Sequence, residues 1–221
     1  MKMKKVSLIL SAVVITALVL SSYGGEVTNE VTIGKQVWMT TNLNVDKFRN
    51  GDLIPQAKTA EEWKKAGESK QPAWCYYDND PANGTKYGRL YNWYAVNDAR
   101  GLAPKGWHVA SNAEFTVLVD FLGGKDITYT KIKSISSWKE NCNGTNESGF
   151  SAHPGGGRRD DGTFGAIGDI GNWWTSTEDA NIRNYGDGYL SEAWYHGLDC
   201  SGGENLSGEK EAGLSVRCLR D

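Results

Sequence analysis

The sequence predicts an α+β fold on two observations: amphipathic helices gather in its first half, and short strand patterns follow in its second half. The chain has 221 residues, 27 of them glycine, and it becomes rich in glycine and loops beyond residue 122. No solenoid repeat and no proline-rich or serine-rich linker divides it. We therefore expect a single domain with two or three short helices, small antiparallel sheets and long irregular loops.

Capping signals indicate where the main helices begin. Thr59 and Glu62 form a capping box ahead of one short helix, and Ser111 and Glu114 form a second one ahead of a helix over 112–122. The other expected elements, from spacing and turn residues, are a strand pair over 32–43, a loop at 78–84, a short helix within 88–97, a turn at 155–157, and strands at 150–152, 173–176, 192–198 and 214–219.

Composition excludes several classes of protein. The chain carries 27 acidic and 24 basic residues, a formal net charge of −3, which disfavours a nucleic-acid binder with its usual basic face. A hydrophobic content of 39% with 11% aromatic residues excludes a disordered chain. A mean hydropathy of −0.52 excludes a protein with many membrane spans.

The N-terminus has the order of a secretory signal peptide. A basic stretch containing Lys2, Lys4 and Lys5 precedes an apolar run over 6–20, and small residues follow. The run is short for a transmembrane helix, which needs roughly 20 apolar residues. We predict a signal peptide over 1–24 and no transmembrane span in the mature form.

The segment 19–25 resembles a bacterial lipoprotein box in all but one position. Tyr23 stands where such a box needs the cysteine that receives the lipid. Tyrosine cannot form the thioether, so we expect export without a lipid anchor, either into the medium or to the cell surface. The predicted mature domain is 25–221.

Four cysteines remain after that cleavage, and an exported chain meets an oxidising compartment, so disulfides are expected. Four cysteines allow three connectivities, and the sequence does not choose among them. A pair between the last two would close a short loop near the C-terminus. No CxxC motif or zinc-finger spacing to a histidine occurs. The disulfide candidates are Cys75, Cys142, Cys200 and Cys218.

Seven ordered strings together carry a family resemblance. They are QVWMTTNL at 36–43, WCYYDND at 74–80, YGRLYNW at 87–93, GWHVAS at 106–111, GFSA at 149–152, WWTSTE at 173–178 and SVRC at 215–218. This set resembles the Fibrobacter succinogenes major paralogous domain, which is common in exported proteins of Bacteroidetes and Fibrobacteres.

The resemblance implies a C-type-lectin-like fold, shared with formylglycine-generating enzymes and with variable proteins of diversity-generating retroelements. It implies that the N- and C-terminal strands pair, that the helix over 112–122 packs beneath them, and that long loops carry a binding surface. Our leading hypothesis is an exported binding module of the cell envelope or medium that recognises a glycan or a surface protein. The alternatives are a retroelement-type variable receptor and a formylglycine-generating-enzyme-like oxidoreductase using Cys200 and Cys218.

The segment 178–212 is the candidate ligand-binding region. It is polar, glycine-rich and aromatic at once, which is the composition of adaptable binding loops. Tryptophans within the family strings are interpreted as core instead: Trp38, Trp74, Trp93, Trp107 and Trp173. The candidate ligand-binding residues are Arg183, Tyr185, Asp187, Tyr189, Trp194 and His196.

Metal and catalytic signals are weak. Calcium needs clustered oxygen ligands, and outside the C-terminal segment only 78–80 and 160–161 supply tight acidic groups, so no cofactor is predicted and calcium has little support. The histidines His108, His153 and His196 are far apart in sequence, and no GxSxG or HExxH motif occurs. We expect a binding protein and no enzyme, with His108 a satisfied buried imidazole.

Overall fold

The computed structural model describes residues 29–139, 141–180 and 192–221, and the backbone of two further short strands. The helices in these residues are α1 (Ala60–Glu68), α2 (Pro81–Tyr87), α3 (Trp93–Val96), α4 (Asn112–Leu122) and α5 (Lys125–Ile132). The strands are β1 (Glu30–Ile33), β2 (Gln36–Met39), β3 (Trp74–Cys75), β4 (Leu90–Tyr91), β5 (Trp107–Val109), β6 (Gly155–Arg158), β7 (Phe164–Ile167), β8 (Gly171–Glu178), β9 (Arg183–Asn184), β10 (Tyr189–Leu190), β11 (Glu192–Leu198), β12 (Gly203–Glu209), β13 (Ser215–Val216) and β14 (Cys218–Arg220).

Two sheets organise these elements. The first has the strand order β1-β2-β14-β5, so the first strands of the domain pair with the last one, and Trp38 lies opposite Leu219. The second has the order β12-β11-β8-β6-β7, with β13 added in parallel to β8. Both the α+β class and the pairing of terminal strands are thus confirmed.

Two consecutive tryptophans on β8 connect the second sheet to two separate hydrophobic cores. Side chains alternate across a strand, so Trp173 and Trp174 leave opposite faces of the sheet. Trp173 packs in the core that contains Trp38 and α4, whereas Trp174 packs in the core that contains Trp93 and β5. Eight of the nine tryptophans are buried, including the five that were interpreted as core residues, which confirms that interpretation, and only Trp194 is half-buried.

Arg217 separates β13 from β14 and is fully buried. Its Nη1 donates to the carbonyl oxygens of Met39 (2.8 Å) and Phe150, and its Nη2 donates to Oδ1 of Asn42 (2.9 Å). The same Oδ1 accepts from Nε1 of Trp173 at 2.8 Å. Burial lowers the pKa of the guanidinium to about 9, and no carboxylate in the described residues pairs with it. Carbonyl oxygens therefore hold this cation.

The helix α4 begins and ends as its capping signals predict. Ser111 Oγ accepts from the backbone N–H of Glu114, whose carboxylate accepts from the backbone N–H of Ser111, and Gly123 ends the helix in the left-handed region. Its apolar face, with Phe115 and Leu118, is buried in the Trp38 core. This packing supports the second sheet from one side.

Four local expectations were wrong. Within the expected loop at 78–84, Asp80 caps the N-terminus of α2, with Pro81 at its first position. The glycines at 155–157 are part of β6 instead of a turn. Residues 150–152 contribute one isolated bridge, between Ala152 and Lys133, and α5 is an additional helix in a stretch expected to be loops.

The structure pairs Cys142 with Cys200, at a Cα–Cα distance of 5.1 Å. Cys75 and Cys218 are free and buried, and burial raises the pKa of each thiol to about 12. The pair of Cys200 with Cys218 that the sequence left open is therefore not formed. The observed bond spans 58 residues, for which the chain-entropy model gives about 4 kcal/mol of stabilisation.

We predict that Arg217→Lys lowers the free energy of unfolding by about 3 kcal/mol, because an ammonium cannot donate to oxygens on three sides in one plane. Urea denaturation followed by tryptophan fluorescence measures this change. The matched control is Arg159→Lys, at an exposed arginine, which should alter stability by less than about 0.5 kcal/mol. Equal stabilities of the two variants would contradict the role assigned to Arg217.

A thiol titration tests the cysteine assignments directly. The native protein should react at no thiol, the denatured unreduced protein at the two thiols of Cys75 and Cys218, and the denatured reduced protein at all four. Peptide mapping without reduction should recover the Cys142–Cys200 peptide. Four reactive thiols before reduction would exclude the bond.

Candidate functional site

The hairpin formed by β11 and β12 is the main structure of the C-terminal region. Its strands pair antiparallel, with Tyr195 opposite Leu206 and His196 opposite Asn205. Because side chains alternate, Tyr195 and His196 lie on opposite faces. Tyr195 contacts Trp174 edge-on at 5.7 Å between ring centroids, and His196 stacks on Phe115 at 4.3 Å. Each face of the hairpin is thus anchored to one core.

An open groove of about 700 Å³ lies around the end of this hairpin. One wall is α5, the other walls are the start of β8 and the hairpin itself, and the 199–203 turn forms the rim. This volume falls within the usual range of ligand pockets, roughly 300–1,000 Å³. The residues used below are Lys125, Asp126, Tyr129, Lys133, Asn172, Tyr195, Asp199, Glu204 and Asn205, all of which line it.

Glycines in the hairpin make room for the two groove tyrosines. A Cβ atom at position 203 would collide with the ring of Tyr129, and one at position 208 would lie 3.1 Å from Cε1 of Tyr195. The rings therefore rest against hairpin backbone. Tyr195 is half-buried and Tyr129 is buried, so Tyr195 offers more ring surface to a ligand.

Several polar groups of the groove have no partner among the described residues. Oδ1 of Asn205 is buried and accepts no hydrogen bond there. Asn172 is half-buried, and no side-chain hydrogen bond of its amide is found in the described part of the chain. The exposed carboxylates of Asp126 and Glu204 likewise lack an ion-pair partner in those residues. Directly opposite residues of paired strands share a face, so Asn205 lies with His196, whereas Asn172 and Glu204 share the face of Tyr195 and are the polar groups available to a ligand there.

The 199–203 turn that forms the rim is held firmly. Oδ1 of Asp199 accepts from the backbone N–H and hydroxyl of Ser201 (2.7 Å each) and from the N–H of Gly202 (3.0 Å). Nζ of Lys133 donates to the carbonyl of Asp199, and the disulfide fixes Cys200. The rim is consequently positioned before any ligand arrives.

The structure describes four of the six predicted ligand-binding residues, and these four lie on three strands. Trp194 is half-buried on β11, on the face opposite Tyr195. His196 is 8% exposed and belongs to the packing against α4. Arg183 and Tyr189 lie in the paired strands β9 and β10. The last two predicted residues, Tyr185 and Asp187, lie outside the described residues.

Two of the three histidines, His108 and His196, make side-chain hydrogen bonds, and they do so at separate places in the fold. Both ring nitrogens of His108 are satisfied, by Asp221 at 2.8 Å and Glu114 at 2.9 Å, as expected from the sequence. The ring is half-buried, so the expectation of a buried imidazole was wrong. Burial opposes its charged form, but these two carboxylates prevail and raise its pKa. Nε2 of His196 donates to Oδ1 of Asn112 at 3.1 Å, and burial lowers its pKa to about 4.

In residues 29–139, 141–180 and 192–221, no group of three His, Cys, Asp or Glu side chains could hold a metal ion. None of the helices described is long and apolar enough to cross a bilayer. Cys200 is bonded to Cys142 while Cys218 is fully buried, so the two thiols proposed for an oxidoreductase do not meet.

Sequence reasoning included part of this groove and missed the rest. Tyr195 and Asn205 fall within the 178–212 segment, although neither was among the candidate ligand residues. Tyr129, Lys133 and Asn172 come from α5 and β8, outside that segment. No local signal marks these three, because the β8–β11 pairing and the placement of α5 bring them to the hairpin.

We predict that the free energy of unfolding decreases as the pH falls from about 6.5 to about 4. In the folded state His196 stays neutral across this window, because its pKa is lowered to about 4. In the unfolded state its imidazole takes up a proton near pH 6.5. Each histidine with a pKa lowered in this way therefore loses about 3 kcal/mol of folding free energy as the pH falls. His153, whose pKa burial also lowers to about 4, adds to the effect. Urea denaturation at several pH values measures it.

The variant His196→Gln should make that pH dependence shallower. His108→Gln is the control, since a raised pKa contributes stability that is lost only as the pH rises, above this window. An unchanged slope in His196→Gln would contradict a buried neutral imidazole.

Comparison with known proteins identifies one family. No curated protein and no solved structure matches the sequence. The family model of the Fibrobacter succinogenes major domain matches residues 31–220, nearly the whole of the described structure. This match agrees with the resemblance carried by the seven strings. The chain belongs to the Fibrobacter succinogenes major domain family.

Proposed function

We propose that this protein is an exported binding module that recognises a glycan in the groove around the β11–β12 hairpin. The observation that carries the proposal is the convergence of unpartnered polar groups on one concave site. The amide of Asn172 and the carboxylate of Glu204 line the same groove as the half-buried ring of Tyr195, and all three lie on one face of the sheet. Concave sites with a few convergent polar groups are the usual form of small-ligand sites.

The chemistry of the groove fits a sugar better than a flat protein surface. A sugar offers several hydroxyl groups in fixed directions, which amide and carboxylate groups can bind, and an apolar ring face that can lie on an aromatic side chain. Protein interfaces, by contrast, commonly bury a broad surface of about 800 Å² on each partner around aromatic anchors. Trp194, half-buried on the other face of the hairpin, extends the recognition surface beyond the groove.

Two features support export. The N-terminal segment has a basic start, an apolar run and small residues, as signal peptides do. The Cys142–Cys200 bond requires an oxidising compartment to form and persist. With Tyr23 in place of the lipidated cysteine, we propose a secreted or surface-held protein without a lipid anchor.

A glycan array tests the proposed function. The purified protein should bind one class of glycan, and Asn172→Ala should weaken that binding about tenfold, because it removes an amide that contacts the ligand. Isothermal titration with the bound glycan gives the affinities. Thermal unfolding of each variant shows whether its fold is intact.

The matched control is Asn97→Ala, an exposed asparagine just after α3 and away from the groove. It should bind like the wild-type protein. Absence of any bound glycan, or equal affinities of Asn172→Ala and Asn97→Ala, would contradict the proposed function.

A further inference from the structure

Gly197 lies at the centre of one face of the sheet, within the groove. It is opposite Asn172 on β8 and opposite Glu204 on β12, so these three residues form one row across three strands and share a face. The next row along the same face contains Tyr195 and Leu206, which are opposite each other. The absent side chain of the glycine therefore leaves a gap that four neighbouring side chains border.

Three of these side chains close over the glycine. A Cβ atom at position 197 would lie 3.0 Å from Oδ1 of Asn172, 3.5 Å from Cδ1 of Leu206 and 3.7 Å from Cε2 of Tyr195. Gly197 is buried beneath them, whereas each of the three side chains is at least partly exposed to solvent. A carboxamide, an aliphatic side chain and an aromatic ring from three strands thus form one continuous surface within the groove.

The polar groups on the two sides of Gly197 differ in what they can bind. The carboxamide of Asn172 can donate or accept, and no side-chain hydrogen bond in the described part of the chain fixes its orientation. The exposed carboxylate of Glu204 can only accept. A ligand that spans this row therefore needs an N–H group towards Glu204 and an acceptor towards Asn172. A trans amide carries these two groups on opposite edges.

The apolar part of the surface is a second, independent requirement. Leu206 is a large apolar side chain that is 36% exposed, and it lies beside the ring of Tyr195. A hydroxyl group placed against it loses hydration without gaining a hydrogen bond, whereas a methyl group gains by leaving water. Charges of both signs line the groove, Lys125 and Lys133 as well as Asp126, so charge alone selects neither an anion nor a cation. A neutral amide that carries a methyl group meets these requirements together.

We propose that the groove selects glycans that carry acetamido groups, with the amide held between Asn172 and Glu204 and its methyl group on Leu206 and Tyr195. The inference rests on the proposed function and narrows its ligand to one class, N-acetylated amino sugars. Gly197 is the positioning residue, because its missing side chain lets the three side chains close into one surface. A hydroxyl group in place of the acetamido group would leave Leu206 uncovered and would not reach both polar groups.

The experiment measures the affinities of the N-acetylglucosamine trimer and the glucose trimer with the same linkage by isothermal titration. The two sugars differ only in that a hydroxyl group replaces each acetamido group. The wild-type protein should bind the acetylated trimer about tenfold more tightly. The ratio of the two affinities is the readout, because a general loss of stability affects both affinities alike.

Two variants test the surface itself. Gly197→Ala adds a Cβ atom that displaces the amide of Asn172, and it should reduce the preference to about threefold or less. Leu206→Ser removes the contact of the methyl group, and it should weaken the preference by about threefold. The matched controls are Gly165→Ala on β7, where an added Cβ atom has no neighbour within 4 Å among the described residues, and Leu53→Ser at an exposed leucine. Both controls should retain the wild-type preference.

The outcomes separate this inference from the proposed function. Thermal unfolding shows whether each variant is folded, and Leu206→Ser carries the test if Gly197→Ala is not. Equal or tighter binding of the glucose trimer, no binding of either trimer, or an unchanged preference in a folded Gly197→Ala or in Leu206→Ser would overturn the inference. If the array then finds a glycan whose binding Asn172→Ala weakens, the proposed function stands while acetamido selection falls. If no glycan binds, both fall.

Discussion

The carbonyl cage around Arg217 is the interaction on which the rest of the structure depends. It joins the end of β2, the segment before Ala152 and the break between β13 and β14, and the amide of Asn42 extends it to Trp173 on β8. Segments outside sheets and helices leave backbone carbonyls without a regular partner. A guanidinium offers five donors in one plane, so a single side chain can satisfy carbonyls from several such segments. The cost of burying the charge is offset only because all three segments meet there.

Arg158 repeats the same solution at another place in the fold. It donates to the carbonyls of Ala57 (2.9 Å), Thr59 (2.8 Å) and Gly162 (2.9 Å), and its guanidinium lies between the rings of Trp63 and Phe164. Two buried arginines thus hold irregular segments against the sheets, and neither has a carboxylate partner within the described part of the chain. A loop-rich chain held in this way can keep short strands and still present a rigid surface.

How far the sequence predicts this structure depends on whether a signal is local. The capping box of Ser111 with Glu114 located α4, and spacing with a turn located the β1–β2 pair, because both signals act between near neighbours. By contrast, α5 begins at Gly124 without a side-chain cap, and the Cys142–Cys200 pair depends on a distance set by the whole fold. The groove, like the disulfide, is formed by residues that only the complete fold brings together. Its tyrosines, Tyr129 and Tyr195, are distant in sequence, and each packs against a glycine of β12, Gly203 and Gly208, on opposite faces of the hairpin.

Rigidity decides how such a groove can be specific. A sugar in water already has hydrogen bonds, so a binding site gains only where its own groups are fixed and poorly solvated beforehand. The disulfide and the Asp199 turn fix the rim, and the two cores fix both faces of the hairpin. The amide of Asn172 and the ring of Tyr195 are accordingly held in place on one face of the sheet before binding. A mobile loop with the same residues would rearrange to fit a mismatched ligand. This hairpin is held in place, so a mismatched ligand binds it with lower affinity.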